Sequence, residues 1–354
     1  MLTKLFQIVR KKAFIGCSII LCSLLMMACK KGPVKEEMSF DSGSFHIVGD
    51  LQLPLGNGPH PVILFVHGDG PNSRTSGVTY PPIMERMQNA GYATFAWDKP
   101  GTGESTGTID RSKLFEQRTQ IVLDAINLIK QHPNIDPARI GLWGISQAGY
   151  IMPLVLTKTR DIHFMIAISC PGCAGVDQGA YLASKQAVCA GLPEEQAREV
   201  EALFSAVERA RTYEEYVIYK EQLLAFPELM VLEEQGVRMS IRPREEWHMD
   251  DLEGNYYWNP MDVIEQTTIP ILAVFGEKDT QVDPVQGKEA YVSALQKAGN
   301  THYRIELIPG TDHNILISET GCISERMNRS RAGWSNYPEE YLDLIEEWLG
   351  GLDL

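Results

Sequence analysis

The chain has 354 residues, 44% of them hydrophobic and 22% charged, enough apolar material for one large core or a core with an appendage, which argues against a disordered chain. Its formal charge of −14 becomes about −18 once the four cations of the N-terminal segment are set aside, so phosphate backbones and other polyanions are repelled rather than bound.

Lys4, Arg10, Lys11 and Lys12 precede an apolar stretch from Ala13 to Ala28, and no acidic residue occurs in the segment. Residues 1–28 therefore read as a secretion signal. Leu25-Met26-Met27-Ala28-Cys29 resembles the cleavage box of bacterial lipoproteins, which implies that Cys29 becomes the lipidated first residue, with 29–43 as a tether and the chain held at a membrane, periplasmic or on the cell surface. An uncleaved anchor is the alternative, although the apolar run is short for spanning a bilayer.

From residue 44 onward, β-rich runs alternate with helical ones, the pattern of an α/β sheet wound with crossover helices. Strands are expected over Phe45–Leu53, Pro61–Val66, Tyr92–Trp97, Ile140–Trp143, Phe164–Ile168, Ile269–Phe275 and Tyr303–Ile308. One helix ends at Asn89-Ala90-Gly91, and another is expected over Ser112–Gln131, where Leu114, Phe115, Ile121, Val122, Ala125, Leu128 and Ile129 recur near helical spacing. Continuous apolar strands imply a sheet covered on both faces. Residues 174–258 break the alternation with a helix-like run rich in Glu and Tyr, read as a lid inserted between the core segments 44–173 and 259–354. Most of its aromatic residues are expected to pack it against the sheet.

Gly144-Ile145-Ser146-Gln147-Ala148-Gly149 follows the apolar run Ile140–Trp143 and reads as a strand breaking into a helix with a serine at the corner. Gly144 and Ala148 are small enough for so tight a bend. Residues that act together in such a sheet emerge at the carboxyl ends of strands. His67-Gly68-Asp69-Gly70, Ser146, Asp279 and His313 each follow a different expected strand, and the order Ser, Asp, His is that of an α/β-hydrolase triad.

The chain resembles the α/β-hydrolases of the esterase, lipase and serine aminopeptidase group. The resemblance runs from about Gly49 to Leu349 and is carried by Pro61 to Gly68, Asp98-Lys99-Pro100-Gly101-Thr102-Gly103-Glu104-Ser105, the serine corner, Phe275-Gly276-Glu277-Lys278-Asp279 and Gly310-Thr311-Asp312-His313. Ala148 stands where the usual corner has glycine. Acyl transfer then assigns the roles: Ser146 attacks, His313 moves its proton, and Asp279 holds the imidazole. The backbone N–H groups of Gln147 and Asp69 donate to the oxyanion.

Rivals rank by position. His302 stands at the opposite edge of the sheet, His67 is read as a prop for the oxyanion loop, and Asp283 and Asp312 are alternatives to Asp279. Gly101-Thr102-Gly103 lacks the spacing of a phosphate loop and reads as a tight connection. With Cys17 and Cys22 lost in the signal and Cys29 lipidated, Cys170, Cys173, Cys189 and Cys322 remain, and their pairing is open. Cys170-Pro171-Gly172-Cys173 is read as a turn or structural bridge rather than a redox motif, and Pro171 has no N–H to lend beside a thiol nucleophile.

The reading is a serine hydrolase cleaving carboxylic esters, or short peptides or acyl thioesters on the same residues, with no metal or cofactor implied and no nucleic-acid partner. A non-catalytic binding lipoprotein is the alternative from another class.

Overall fold

The alternating strands and helices build one eight-stranded sheet in a computed structural model that describes residues 34–234, 237–247 and 257–352. The secretion signal and Cys29 lie outside the described residues. The strands are β1 (Val34–Ser42), β2 (Phe45–Leu53), β3 (His60–Val66), β4 (Ala93–Trp97), β5 (Ile135–Ile145), β6 (Ile162–Ile168), β7 (Ile271–Gly276) and β8 (Tyr303–Ile308). Their spatial order is β1-β2-β4-β3-β5-β6-β7-β8. The β1–β2 hairpin and the β2–β4 pair are antiparallel, and every pair from β4 to β8 is parallel.

Among the described residues, the helices of ten or more residues are α1 (Tyr80–Asn89), α2 (Leu114–Ile129), α3 (Ala148–Lys158), α4 (Gly175–Cys189), α5 (Glu194–Glu208), α6 (Tyr213–Leu223), α7 (Pro284–Lys297) and α8 (Glu339–Gly350). Side chains alternate across each strand, and the burial follows. On β3, Val62, Leu64 and Val66 face a core built with α2, α3 and α7, while Ile63 and Phe65 face another built with α1 and α8. Each such side chain contributes about 1.5–3 kcal/mol through the apolar area it removes from water. This is the α/β-hydrolase fold, a mostly parallel sheet between two helical layers.

Part of the stretch expected as a tether, 29–43, is instead β1. Val34, Glu36, Met38 and Phe40 are partly covered while Lys35, Glu37, Ser39 and Asp41 are exposed, the two-residue period of a strand with one solvated face. Arg74 pins this edge by bonding Glu37, Asp50, Asp98 and Glu104, and Lys35 reaches Asp50 at 2.7 Å. In the Asp98–Ser105 connection, the Asp98 carboxylate accepts the N–H of Arg74 at 2.8 Å and that of Glu104 at 3.0 Å, so the segment is a turn tied to the sheet.

Helices α4, α5 and α6 lie between β6 and β7 and have their own core, from Ala183 and Ala187 through Val200 and Val207 to Leu223, Leu229 and Leu232. Tyr213, Tyr216 and Trp247 pack on one another inside this insertion.

Candidate active site

The chain leaves β3 for β4 on one side and later returns to lay β5 on the other, so a crevice opens at the carboxyl ends of β3 and β5. The loop beginning at His67 and the corner at Ser146 flank it. Ser146 has φ +58°, a left-handed conformation rare for a residue with a side chain. Such a conformation costs on the order of 1–3 kcal/mol and persists only where the surroundings impose it. Its N–H donates to the Ile168 carbonyl at 2.9 Å, and its carbonyl accepts from Gly149 at 2.8 Å. A Cβ on Gly144 would stand 2.6 Å from that of Ala148, so the corner needs glycine before the serine. Alanine in the last position fits, fully buried against it.

Asp279 follows β7 and His313 follows β8. His313 Nδ1 lies 2.8 Å from Asp279 Oδ2, with the two residues 5% and 2% exposed. The other carboxylate oxygen accepts the N–H groups of Gln281 (2.7 Å) and Val282 (3.0 Å), which stops the group rotating. Tyr181, from α4, donates to the Asp279 carbonyl at 2.8 Å. Among the described residues no hydrogen bond joins Ser146 to His313, and such bonds often close only around a substrate.

The rival residues are engaged elsewhere. Asp283 caps α7 through the N–H groups of Val285 and Gln286. Asp312 accepts the N–H groups of Asn314 and Leu316 and pairs with Arg329 at 2.5 Å. His302 sits where β8 begins, its carbonyl accepting from Ile271. His67 is buried and bonds the Trp97 carbonyl through Nε2 at 2.5 Å. A carbonyl only accepts, so Nε2 carries the proton and Nδ1 accepts from the Tyr80 hydroxyl at 2.9 Å. Burial, reinforced by Lys99, lowers this imidazole to about 3, which keeps it neutral and structural.

The two residues expected to supply oxyanion donors come together. Gln147 Nε2 donates to Asp69 Oδ1 at 3.1 Å, and the guanidinium of Arg118 donates to Gln147 Oε1. The Gln147 N–H, at the start of α3, has no carbonyl one turn behind it. Sequence reasoning passed over Arg118. It shares the buried face of α2 with Leu114, Ile121, Val122 and Ala125, and a charge on that face was the signal.

Cys189, ending α4, forms a disulfide with Cys322, nine residues past His313 in the chain. Cys170 and Cys173 are free, so Cys170-Pro171-Gly172-Cys173 is not a bridge. Burial, with Asp177 and Asp283 adding to it, pushes the Cys173 thiol up to about 12, and burial pushes Cys170 further above the ordinary thiol range.

The β7 and β8 loops lock at Gly276, where a methyl would stand 2.1 Å from the Asp312 carbonyl oxygen. Gly276→Ala is therefore expected to push the His313 loop away, costing about 1–3 kcal/mol of stability and about tenfold or more in turnover. Thermal melting and kcat on one preparation check this, and wild-type values for both would show that the contact is slack.

The family model described as serine aminopeptidase matches residues 57–219, which hold Asp69, Ser146 and Gln147. That of the prolyl oligopeptidase family matches residues 237–332, which hold Asp279 and His313. The thiohydrolase aneE of Aspergillus aculeatus is 30% identical over 140 residues, covering 38% of this chain and 43% of the relative. The esterase EstD of Thermotoga maritima is 22% identical over 280 residues, covering 77% of this chain and 58% of the relative. This chain thus spans less than two thirds of either curated relative. Among solved structures, the Pyrococcus furiosus esterase Pf2001 superposes with a TM-score of 0.53 at 16% identity, covering 90% of this chain and 92% of that one. The chain therefore has the α/β-hydrolase fold and is similar, over two separate segments, to the serine aminopeptidase and prolyl oligopeptidase families.

Proposed function

We propose that the protein is a serine hydrolase that cleaves carboxylic esters through an acyl-serine intermediate. The observation that carries this reading is the buried His313–Asp279 pair at 2.8 Å, on the same edge of the sheet as a serine in a left-handed corner. Ser146 attacks the acyl carbon as His313 Nε2 takes its proton. The alkoxide leaves with that proton, water then attacks the acyl-serine, and the serine is restored. The N–H groups of Gln147 and Asp69 receive the negative charge on the tetrahedral oxygen. A fluorophosphonate probe tests the assignment: labelling of the native protein that disappears in Ser146→Ala is expected. No labelling of the folded native chain would favour a binding protein instead.

Peptide cleavage on the same residues is the second reading, favoured by the two peptidase families whose models match. Turnover of p-nitrophenyl esters set against aminoacyl amides separates the two, and faster amide turnover would replace the first with the second.

Export, with lipidation at Cys29 holding the chain at a membrane, is also proposed. The Cys189–Cys322 disulfide supports an oxidising compartment. Mass spectrometry of the mature N-terminus decides whether it begins at an acylated cysteine.

A further inference from the structure

Two buried cations lie against the loop that follows β3, and the proposed triad uses neither. Lys99 is 6% exposed, and its ammonium donates to the carbonyls of Gly68 at 3.0 Å and Gly70 at 2.6 Å. Arg118 is 5% exposed and donates from one amino group to the His67 carbonyl and from the other to the Gln147 side chain. Neither forms an ion pair among the described residues. The neighbouring carboxylate of Asp98 faces Arg74, and that of Asp69 accepts from Gln147. Desolvating two like charges side by side is costly, and what compensates them here is a row of backbone carbonyls.

Peptide geometry converts those bonds into a direction. In a trans peptide the carbonyl of one residue and the N–H of the next point opposite ways, and the cis bond among the described residues is elsewhere, at Gly58-Pro59. With the His67 carbonyl on Arg118 and the Gly68 carbonyl on Lys99, the N–H groups of Gly68 and Asp69 turn away from the cations. The Gly70 carbonyl is followed by Pro71, which has no N–H to misdirect. Gly68 borders the nucleophile corner, since a Cβ there would stand 3.4 Å from that of Ser146.

We propose that Lys99 is a positioning residue of this site: by holding the Gly68 and Gly70 carbonyls it aims the Asp69 N–H at the developing oxyanion, while Arg118 ties the same loop to Gln147. This rests on the acyl-serine reading above. Charge strengthens both Lys99 bonds. Burial lowers the ammonium to about 7, with Arg118 adding to the drop and Asp69 opposing it. The groups facing it are thus Arg118 from α2 and Asp69 from the loop, with the neutral His67 beside them. The charge is present below that pH and lost as pH rises through it, so kcat is expected to fall on the alkaline side.

The experiment is kcat and KM for p-nitrophenyl acetate between about pH 5.5 and about pH 9, for the unsubstituted protein, Ser146→Ala, Lys99→Met and Lys99→Arg. Lys99→Met is expected to lower kcat by about 10- to 100-fold with KM within about twofold, because a misdirected donor fails only where charge develops. Lys99→Arg is expected to restore most of kcat and abolish the alkaline fall, since guanidinium keeps its charge there. Wild-type kcat in Lys99→Met, or an alkaline fall that persists in Lys99→Arg, overturns the inference while leaving the hydrolase reading standing. If Lys99→Met gives no folded protein, the Lys99→Arg profile alone decides by the same criterion. Absence of Ser146-dependent turnover in the unsubstituted protein overturns the reading beneath, and this inference with it.

Discussion

Replacing His313 with alanine is expected to lower kcat/KM toward a p-nitrophenyl ester by ~10⁴-fold or more, and Asp279→Asn is expected to cost about 10⁴-fold. The two losses have different origins. Without His313 no group remains to take the serine proton. With asparagine at 279, the oxygen that accepts from Gln281 and Val282 is retained, so the new amide NH₂ faces His313 Nδ1 at the position where a carboxylate oxygen now accepts. Nδ1 must then accept, the proton moves to Nε2, and the imidazole presents a donor to Ser146 where a base is needed. The folded state of each variant is checked by melting, because the pair is buried. Retention of more than about a tenth of wild-type kcat/KM in His313→Ala would remove histidine from the mechanism.

Cys189→Ser is expected to destabilise the protein by about 2–5 kcal/mol and to lower the melting temperature by about 3–8 °C. The bond joins residues 133 apart in sequence, so its loss frees a large loop in the unfolded chain. It also joins the insertion to the segment that follows His313. Around it, Gln186 donates to the Thr280 hydroxyl at 2.9 Å and Gln178 to the Gln281 carbonyl at 2.7 Å. Beyond Cys322, Arg326 reaches Asn314 at 3.3 Å and Gln281 at 3.4 Å, the neighbours of His313 and Asp279. Loosening the staple should therefore disturb the site as well as the fold, lowering kcat together with stability. Reductant should reproduce the shift in the native protein and leave Cys189→Ser unchanged. Identical melts for native protein with and without reductant would show that the bond contributes nothing.

Much of the fold was legible because local patterns carry it. The strand from Phe45 to Leu53 agrees with β2, and the helix expected over Ser112–Gln131 contains α2. The Ser146 turn was readable from small residues at 144 and 148. Where the reading failed, a local signal was overridden by an assumption. Val34, Met38 and Phe40 alternate as a strand should, but their place just after the expected lipidation site suggested a tether. The strand forms because β2 supplies a full antiparallel partner, from Val34 opposite Leu53 to Ser42 opposite Phe45.

By itself, the sequence determined the alternation of elements, the turn that lifts Ser146 from the sheet, and the order in which candidate residues leave successive strands, because each depends on residues within a few positions of one another. Position in the sequence ranked Asp279 above Asp283 and Asp312, but only the tertiary structure brought its carboxylate to 2.8 Å from His313, since the three differ in what packs beside them. It alone placed Lys99 and Arg118 against the His67 loop and joined Cys189 to Cys322. Those pairings link residues dozens to more than a hundred positions apart, and the physical reason is that packing of whole elements, rather than any local preference, sets such distances.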